Sequence, residues 1–389
     1  MKSSTCSDHK RVSLEKLSDY EPTAVSAALK RLLEPLGGIE AFVKPGQNVL
    51  LKPNLLAGKP PEKAVTTHPE IVRAVILLVQ QAGGLVSVGD SPGIGKPEAV
   101  AAKSGILQII KETGVRFAPF EESVKIRPRG GTFHELEVAR DILEADVIIN
   151  LPKLKTHQMM GMTCAVKNLF GAVVGLRKPR LHLQAGTDKE FFALMLLELC
   201  EQLAPALSIV DAVVGMEGEG PGSGDPVQIG ALLAGSHPQA VDTVAAELIG
   251  LSAQQVWTQQ LAIKTERPFC KLSQLELVGT PLDNLKISGF RPAKMTDVNF
   301  GLKGFLKKHL KHAVTARPVV DHNRCRLCND CVKHCPPAVM RIEKSKLQID
   351  YEHCIRCFCC QELCPHGALT TRQGLLLRLT DFLCDGKPS

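Results

Sequence analysis

Eight cysteines near the C-terminus have the residue type and the spacing for iron–sulfur chemistry. They form two runs of the pattern C-x2-C-x2-C-x3-C-P, and they are Cys325, Cys328, Cys331, Cys335, Cys354, Cys357, Cys360 and Cys364. Three cysteines at this spacing wrap a tight loop around three irons of a four-iron cubane, and the fourth thiolate comes from elsewhere in the fold. The sequence therefore predicts two [4Fe–4S] clusters.

The same pattern predicts how the ligands are shared between the clusters. In two-cluster ferredoxins the fourth cysteine of each run binds the cluster of the other run. Cluster 1 is then predicted to be held by Cys325, Cys328, Cys331 and Cys364. Cluster 2 is predicted to be held by Cys354, Cys357, Cys360 and Cys335.

Cys359 is the ambiguous cysteine of the second run because it directly precedes Cys360. Only Cys360 keeps the x2 spacing from Cys357 together with the x3 spacing to the last cysteine. We therefore interpret Cys359 as a non-ligand that is packed near the cluster or exposed. Disulfides fit closely spaced cysteines poorly, and zinc usually takes two separated pairs, so both alternatives are weaker.

Residues 317–372 resemble the two-cluster bacterial ferredoxin family. The resemblance rests on the two cysteine runs and on a short apolar segment before each of them, at 319–321 and 347–350. It implies a small α+β domain with an internal repeat and a redox partner protein.

The basic composition does not indicate a nucleic-acid partner. The formal net charge of the chain is +7. Each oxidised cluster with its four thiolates carries about −2, so two clusters would reduce the net charge to about +3.

Polar side chains follow three apolar segments, 48–51, 85–88 and 146–150, that are predicted to be buried strands. The polar residues are Lys52, Asn54, Asp90, Ser91, Lys153, Lys155, Thr156 and His157. Parallel strands present their carboxyl ends at one edge of a sheet, so these residues could share one pocket. Helix capping and solvated lysines could instead explain each loop separately.

Lys167 and Asn168 form an isolated polar pair within the apolar segment 159–171. A buried charge has to be paired with an opposite charge or serve in binding or catalysis. Lys167 could hold an anionic substrate, or it could pair with a carboxylate such as Asp90 or Asp211. We assign as candidate catalytic residues Lys153, Lys155, His157 and Lys167. We assign as candidate substrate-binding residues Lys52, Asn54, Asp90, Ser91 and Asn168.

The elements that must position these residues alternate between strands and helices. Helices are predicted over 68–81, 97–112, 191–203 and 237–249, and further strands over 207–210 and 229–234. This alternation predicts an α/β fold with a mostly parallel sheet flanked by helices. The predicted domains are 1–290, which can be divided into halves at 1–155 and 156–290; a basic linker helix at 291–316; the ferredoxin-type domain at 317–373; and a tail at 374–389.

Residues 49–250 resemble a prokaryotic domain family of unknown function, DUF362. The matching motifs are K-P-N at 52–54, T-H-P at 67–69, G-D-S-P at 89–92, P-K-L-K-T-H at 152–157, K-N at 167–168, M-E-G at 216–218 and G-P at 220–221. The resemblance implies a shared fold and a fusion to ferredoxin modules. It supplies no reaction, because the family has no general assigned activity.

These observations favour an iron–sulfur electron-transfer protein, and specifically an oxidoreductase whose clusters serve a pocket or partner of the α/β domain. Two alternatives stay open: a non-redox enzyme that acts on an anionic small molecule and has structural clusters, and a scaffold that docks a partner oxidoreductase. The polar N-terminus and the 14 cysteines predict a cytoplasmic protein. The apolar runs are too short to predict a membrane span.

Overall fold

The computed structural model describes residues 9–127, 131–175, 177–294 and 315–374. The strands of the large N-terminal domain are β1 Arg11–Lys16, β2 Asn48–Pro53, β3 Leu85–Val88, β4 Arg116–Phe117, β5 Ser123–Ile126, β6 Leu136–Ala139, β7 Val147–Leu151, β8 Lys153–His157, β9 Gly161–Thr163, β10 Leu207–Glu217, β11 Asp225–Gly235 and β12 Glu276–Gly279. Its helices are α1 Pro22–Leu33, α2 Pro69–Gln81, α3 Pro97–Lys103, α4 Ile106–Thr113, α5 Arg140–Leu143, α6 Ala165–Asn168, α7 Arg177–Ala185, α8 Lys189–Leu203, α9 Pro238–Leu248 and α10 Trp257–Lys264.

One ten-stranded sheet organises the large domain. Eight strands follow the order β12-β1-β11-β10-β7-β2-β3-β4, and β8 joins through β10 and carries β9. The pairs from β10 through β7, β2 and β3 to β4 are parallel, whereas β11 runs antiparallel to both β10 and β1. The predicted α/β fold with a mostly parallel sheet is confirmed. The sheet spans both of the halves suggested by the sequence, because β10 pairs with β7.

Helices cover both faces of this sheet, as strand β2 shows. Val49 and Leu51 pack in one core cluster with residues of α1 and α2, while Leu50 packs in another cluster with residues of α8. Successive strand residues point to opposite faces, so β2 is apolar on both sides. A third cluster joins β1, β11 and α9.

Two local structures differ from the sequence prediction. The helix predicted over 97–112 is divided into α3 and α4, because Gly105 lies between them with a φ of 79° that ends regular helix geometry. The polar segment Lys153–His157, which we expected to be a loop after a strand, forms the buried strand β8. It pairs with β10 and β9, so its backbone groups are satisfied within the sheet.

The C-terminal module consists of two small antiparallel pairs with short helices. Its elements are β13 Arg317–Val320, α11 Asp330–Lys333, β14 Met340–Glu343, β15 Lys346–Ile349, α12 Cys359–Leu363 and β16 Leu369–Arg372. β13 pairs with β16, and β14 pairs with β15. This is the α+β architecture predicted for the region.

The module contacts the large domain through the segment around α12. Gln361 Nε2 donates to the Glu219 carbonyl at 3.2 Å, the Thr371 N–H donates to Glu219 Oε2 at 3.2 Å, and Lys59 Nζ donates to the Pro365 carbonyl at 2.6 Å. These bonds place the second cysteine run against the large domain. Most of the predicted linker helix, 295–314, and the tail from 375 lie outside the described residues.

No helix in the described part of the chain combines the length and the apolar character needed to cross a bilayer.

Candidate functional site

A cavity of about 70 Å³ lies between the large domain and the C-terminal module. The second cysteine run contributes Cys359, Glu362 and Leu363 to its wall. The large domain contributes Asn54, Leu56, Asp90, Ser91, Gly93, Lys155, His157, Thr163, Lys167, Asn168, Phe170, Gly171, Lys178, Pro179, His182 and Pro221. Neither part of the chain encloses this space without the other.

The large domain places these side chains at one edge of its sheet. Asn54 follows β2, Asp90 follows β3, and Lys155 and His157 lie on β8. Lys167 lies on α6. The carboxyl ends of parallel strands meet at the edge where open α/β sheets bind ligands. The structure thus brings together seven of the nine polar residues assigned from the sequence, namely Asn54, Asp90, Ser91, Lys155, His157, Lys167 and Asn168.

A buried amide and ion-pair network supports the wall of the cavity. Asn54 Nδ2 donates to Asn168 Oδ1 at 2.8 Å, and Asn168 Nδ2 donates to Asn150 Oδ1 at 2.8 Å. Lys52 Nζ pairs with Asp90 Oδ1 at 2.7 Å and donates to the Asn168 carbonyl at 2.6 Å. Lys52 lies behind the wall, where its pairing with Asp90 satisfies both charges.

Gly171 allows this network to pack closely. A Cβ atom at this position would lie 1.9 Å from Asp90 Oδ1 and 2.6 Å from Lys52 Nζ. Real side chains do not approach this closely, so any larger residue would displace the Lys52–Asp90 pair.

Two lysines of the cavity wall already donate to neutral oxygens. Lys155 Nζ donates to the Val65 carbonyl at 2.7 Å and to Asn54 Oδ1 at 3.1 Å. Lys178 Nζ donates to the carbonyls of Ser91 and Pro92. Burial lowers the pKa of Lys155 to about 7 and the pKa of Lys178 to about 7, since no carboxylate of the described residues pairs directly with either ammonium.

Lys167 has a different environment. Its side chain is 8% exposed, and its ammonium lies 5.3 Å from the centroid of the Phe170 ring and 6.0 Å from that of Phe192. Among the described residues it has no hydrogen-bond acceptor and no carboxylate within ion-pair distance. Burial lowers the pKa of Lys167, while Glu362 and Cys359 oppose this shift.

His157 presents an N–H to the cavity wall. Its Nδ1 accepts the backbone N–H groups of Met159 at 3.1 Å and Met160 at 3.2 Å, which places the proton of the neutral ring on Nε2. Nε2 lies 3.6 Å from Glu362 Oε2. Burial and, to a smaller extent, the nearby Lys167 lower the pKa of His157 to about 4, so the ring is neutral at pH 7.

Glu362 brings a negative charge from the C-terminal module to the cavity. Burial acts to raise the pKa of this carboxyl, but His157, Lys167 and His182 together outweigh burial and hold the pKa well below its usual range. Glu362 is therefore ionised at neutral pH, opposite the lysines of the large domain.

Lys153 does not line the cavity. Its ammonium pairs with Asp211 Oδ2 at 2.8 Å and donates to the Tyr20 hydroxyl at 2.9 Å. Tyr20 in turn donates to Asp211 Oδ1 at 2.8 Å, and its ring stacks on His68 at 3.5 Å between centroids. This is a satisfied polar cluster in the interior, separate from the residues that the cavity brings together.

The cysteines gather around two smaller cavities of about 20 Å³ each. One is lined by Cys325, Cys328, Cys331 and Cys364. The other is lined by Cys335, Cys354, Cys357 and Cys360. These are the two groups that the spacing predicted, and Cys359 lines the larger interdomain cavity instead.

The residues around the two small cavities suit four-iron clusters. Both loops have left-handed residues on either side of the second cysteine, at Leu327 and Asn329 and at Arg356 and Phe358. Turns of this kind can collect backbone N–H groups into a concavity that accepts an anion. The N–H of Ala368 already donates to Cys364 Sγ at 3.3 Å.

Sequence analysis missed several residues of the interdomain cavity. They are Thr163, Phe170, Lys178, His182, Cys359 and Glu362. The sequence predicted Cys359 to be a non-ligand, but its place in the cavity wall depends on how the module contacts the large domain. His182 stacks on Phe192 at 4.3 Å between centroids, and its Nδ1 has no hydrogen-bond partner in the described structure.

An α/β domain joined to a cysteine-rich ferredoxin-like module defines an iron–sulfur protein. The family model described as "Domain of unknown function (DUF362)" matches residues 49–247, and the model described as "4Fe-4S dicluster domain" matches residues 317–365. The chain belongs to the DUF362 family, fused to a 4Fe-4S dicluster domain.

Relatives match either most of the chain or the iron–sulfur module. The chain is 39% identical over 310 residues to "Thylakoid-associated protein sll1697" of Synechocystis sp., covering 78% of this chain and 94% of that protein. It is 37% identical over 57 residues to "Pyruvate synthase subunit PorD" of Methanocaldococcus jannaschii, covering 14% of this chain and 66% of that protein. It is 40% identical over 60 residues to "Iron-sulfur protein" of Rhodospirillum rubrum, covering 15% of this chain and 30% of that protein.

Among solved structures, the lactate racemase apoprotein from Thermoanaerobacterium thermosaccharolyticum matches with a TM-score of 0.39 and 14% identity. The match covers 62% of this chain and 57% of that chain.

Proposed function

We propose that this protein is an oxidoreductase in which two [4Fe–4S] clusters exchange electrons with a small anion bound in the interdomain cavity. The observation that carries the proposal is that Cys359, which lies between the predicted cluster ligands Cys357 and Cys360, lines the same cavity as the lysines of the large domain. Each cluster, when bound, would supply one-electron exchange with a neighbouring group.

The side chains of the large domain would bind and orient the anion. Lys155, Lys167 and Lys178 supply positive charge, and His157 supplies a fixed N–H donor. The carboxylate of Glu362 limits the negative charge that the cavity can accept. Leu56 and Leu363 add apolar surface to the wall where the two domains meet. Electrostatic contacts are stronger in a partly desolvated site than in bulk water.

The cysteine loops differ in exposure, which supports a route for electrons through the module. Cys328 of the first loop is exposed, as are Arg324, Arg326 and Lys333 around it. Cys357 of the second loop is buried and packs in a core cluster of the large domain. In this proposal a partner redox protein exchanges electrons at the first loop, and the second loop serves the cavity.

An anaerobic spectroscopic titration tests the proposal. We expect a small anion, added to the reconstituted and reduced protein, to change the electron paramagnetic resonance signal of the cluster that Cys357→Ser removes. The Cys328→Ser variant should keep this response, because the predicted ligand it loses belongs to cluster 1. Binding of the anion without any change in a cluster signal would contradict the proposal and favour a non-redox enzyme with structural clusters.

The affinity for an anion is expected to depend on pH near neutrality. Lys155 and Lys178 are charged below a pKa of about 7 and neutral above it. The charged groups that act on them are Lys52, Asp90, Lys153, Lys167 and Glu362. Affinity should therefore be highest below about pH 7 and fall severalfold by about pH 8 as these lysines lose protons. Isothermal titration calorimetry across this range measures the effect, and an affinity that rises with pH would contradict it.

A further inference from the structure

The hydrogen-bond partners of the cavity lysines favour a ligand with one anionic group. Lys52 is neutralised by Asp90, and Lys155 and Lys178 already donate to carbonyl or amide oxygens. Lys167 keeps an ammonium without an acceptor among the described residues. A buried ammonium is stable only when a partner compensates its lost hydration. One ammonium without an acceptor therefore matches one anionic group on the ligand.

The hydrogen-bond donors of the cavity match the two oxygens of a carboxylate. Besides Lys167, the wall offers the Nε2–H of His157 and the Thr163 hydroxyl, which is buried and has no hydrogen-bond partner in the described structure. Together with the Lys167 ammonium, these donors are enough to hold both oxygens of one carboxylate.

The remaining wall is apolar and the space is small. The apolar residues are Leu56, Phe170, Pro179, Pro221 and Leu363. A single water molecule needs about 10–15 Å³, so a cavity of about 70 Å³ admits a ligand that is larger than water but still small. The ligand therefore combines one anionic end with a short apolar part.

We infer that the interdomain cavity binds a short-chain monocarboxylate. Its carboxylate contacts Lys167, His157 and Thr163, and its short chain lies against Leu56 and Leu363. This inference rests on the proposed function for the role of the ligand, and it rests on the cavity itself for the class of the ligand.

Calorimetry on the reconstituted protein at about pH 6.5 tests the class of ligand. We expect propionate to bind at least about tenfold more tightly than the neutral propionamide, inorganic phosphate or the longer octanoate. Lys167→Met should weaken propionate binding by about tenfold or more, and Lys167→Arg should restore part of it. The matched control is Lys264→Met, since Lys264 is an exposed lysine on α10 paired with Glu190, and it should bind propionate like the parent protein.

Three results would overturn the inference: equal binding of propionamide and propionate, tighter binding of phosphate, or unchanged propionate binding in Lys167→Met. Circular dichroism and iron content establish that each variant is folded and loaded before it is compared. Cluster spectra recorded in the same titrations separate the two proposals. Propionate binding without a spectral response would retain the ligand class and overturn the redox function. A spectral response to phosphate alone would retain the redox function and overturn the ligand class.

Discussion

Replacing either Cys328 or Cys357 by serine is expected to remove about half of the iron, reducing it from about eight to about four atoms per chain. Each cysteine lines a different one of the two small cavities, and a four-iron cluster that loses one thiolate is held by only three. Metal analysis and the visible absorption of the anaerobically reconstituted proteins measure the loss. The spectra of the two variants should differ, because each retains the other cluster.

Cys359→Ser is the matched control for this experiment. Cys359 lies one residue before Cys360 but lines the interdomain cavity and not the cavity of cluster 2. The variant should therefore keep about eight iron atoms per chain. Loss of a cluster in Cys359→Ser, with full loading in Cys360→Ser, would show that the ligand assignment of the second run is wrong. An iron content near one per chain in the parent protein would contradict the clusters altogether.

Asp211→Ala is expected to lower the free energy of unfolding by about 3–5 kcal/mol. Its carboxylate accepts from Lys153 and Tyr20 in the interior, and it also accepts the backbone N–H of His68 at 2.8 Å. Removing the carboxylate leaves a buried ammonium without its counter-charge, which costs far more than losing an exposed pair. Denaturant unfolding followed by circular dichroism measures this change.

Glu190→Ala provides a comparison at the surface. Glu190 pairs with Lys264 at 2.7 Å, and both side chains are substantially exposed. We expect this variant to lose less than about 1 kcal/mol. Equal stability losses in Asp211→Ala and Glu190→Ala would show that the interior cluster around Lys153 does not stabilise the fold.

Comparing ligand binding with stability also tests the role of Lys153, which the sequence placed among the candidate catalytic residues. If Lys153 acts on the ligand, Lys153→Met should abolish anion binding in protein that is still folded. Its position in a satisfied cluster with Asp211 and Tyr20 predicts instead a loss of stability with anion binding retained.

Local sequence patterns were enough to predict much of the fold. The strand predicted over 85–88 coincides with β3, and the helix predicted over 68–81 differs from α2 by one residue. Apolar runs of these lengths allow few alternatives once turns and glycines bound them. The helix over 97–112 was predicted unbroken because its apolar periodicity continues across Gly105, where a positive φ interrupts it.

Local sequence patterns could not predict how the residues of the candidate site are partnered. Lys153, Lys155 and His157 alternate along β8, so their side chains share one face of the strand. The alternation cannot distinguish their roles. Lys153 meets Asp211, 58 residues away, while Lys155 meets Asn54, 101 residues away. The strand order of the sheet decides which lysine is neutralised by a carboxylate and which one lines a cavity.

The eight cysteines could be interpreted without a structure, because cluster ligation depends on short spacings within two loops. That reasoning also predicted the two groups of four cysteines found around the small cavities. It could not show that Cys359 and Glu362 complete the wall of a cavity built by the large domain. The contact between α12 and the sheet edge joins residues more than 150 positions apart, and only the packing of the whole chain brings them together.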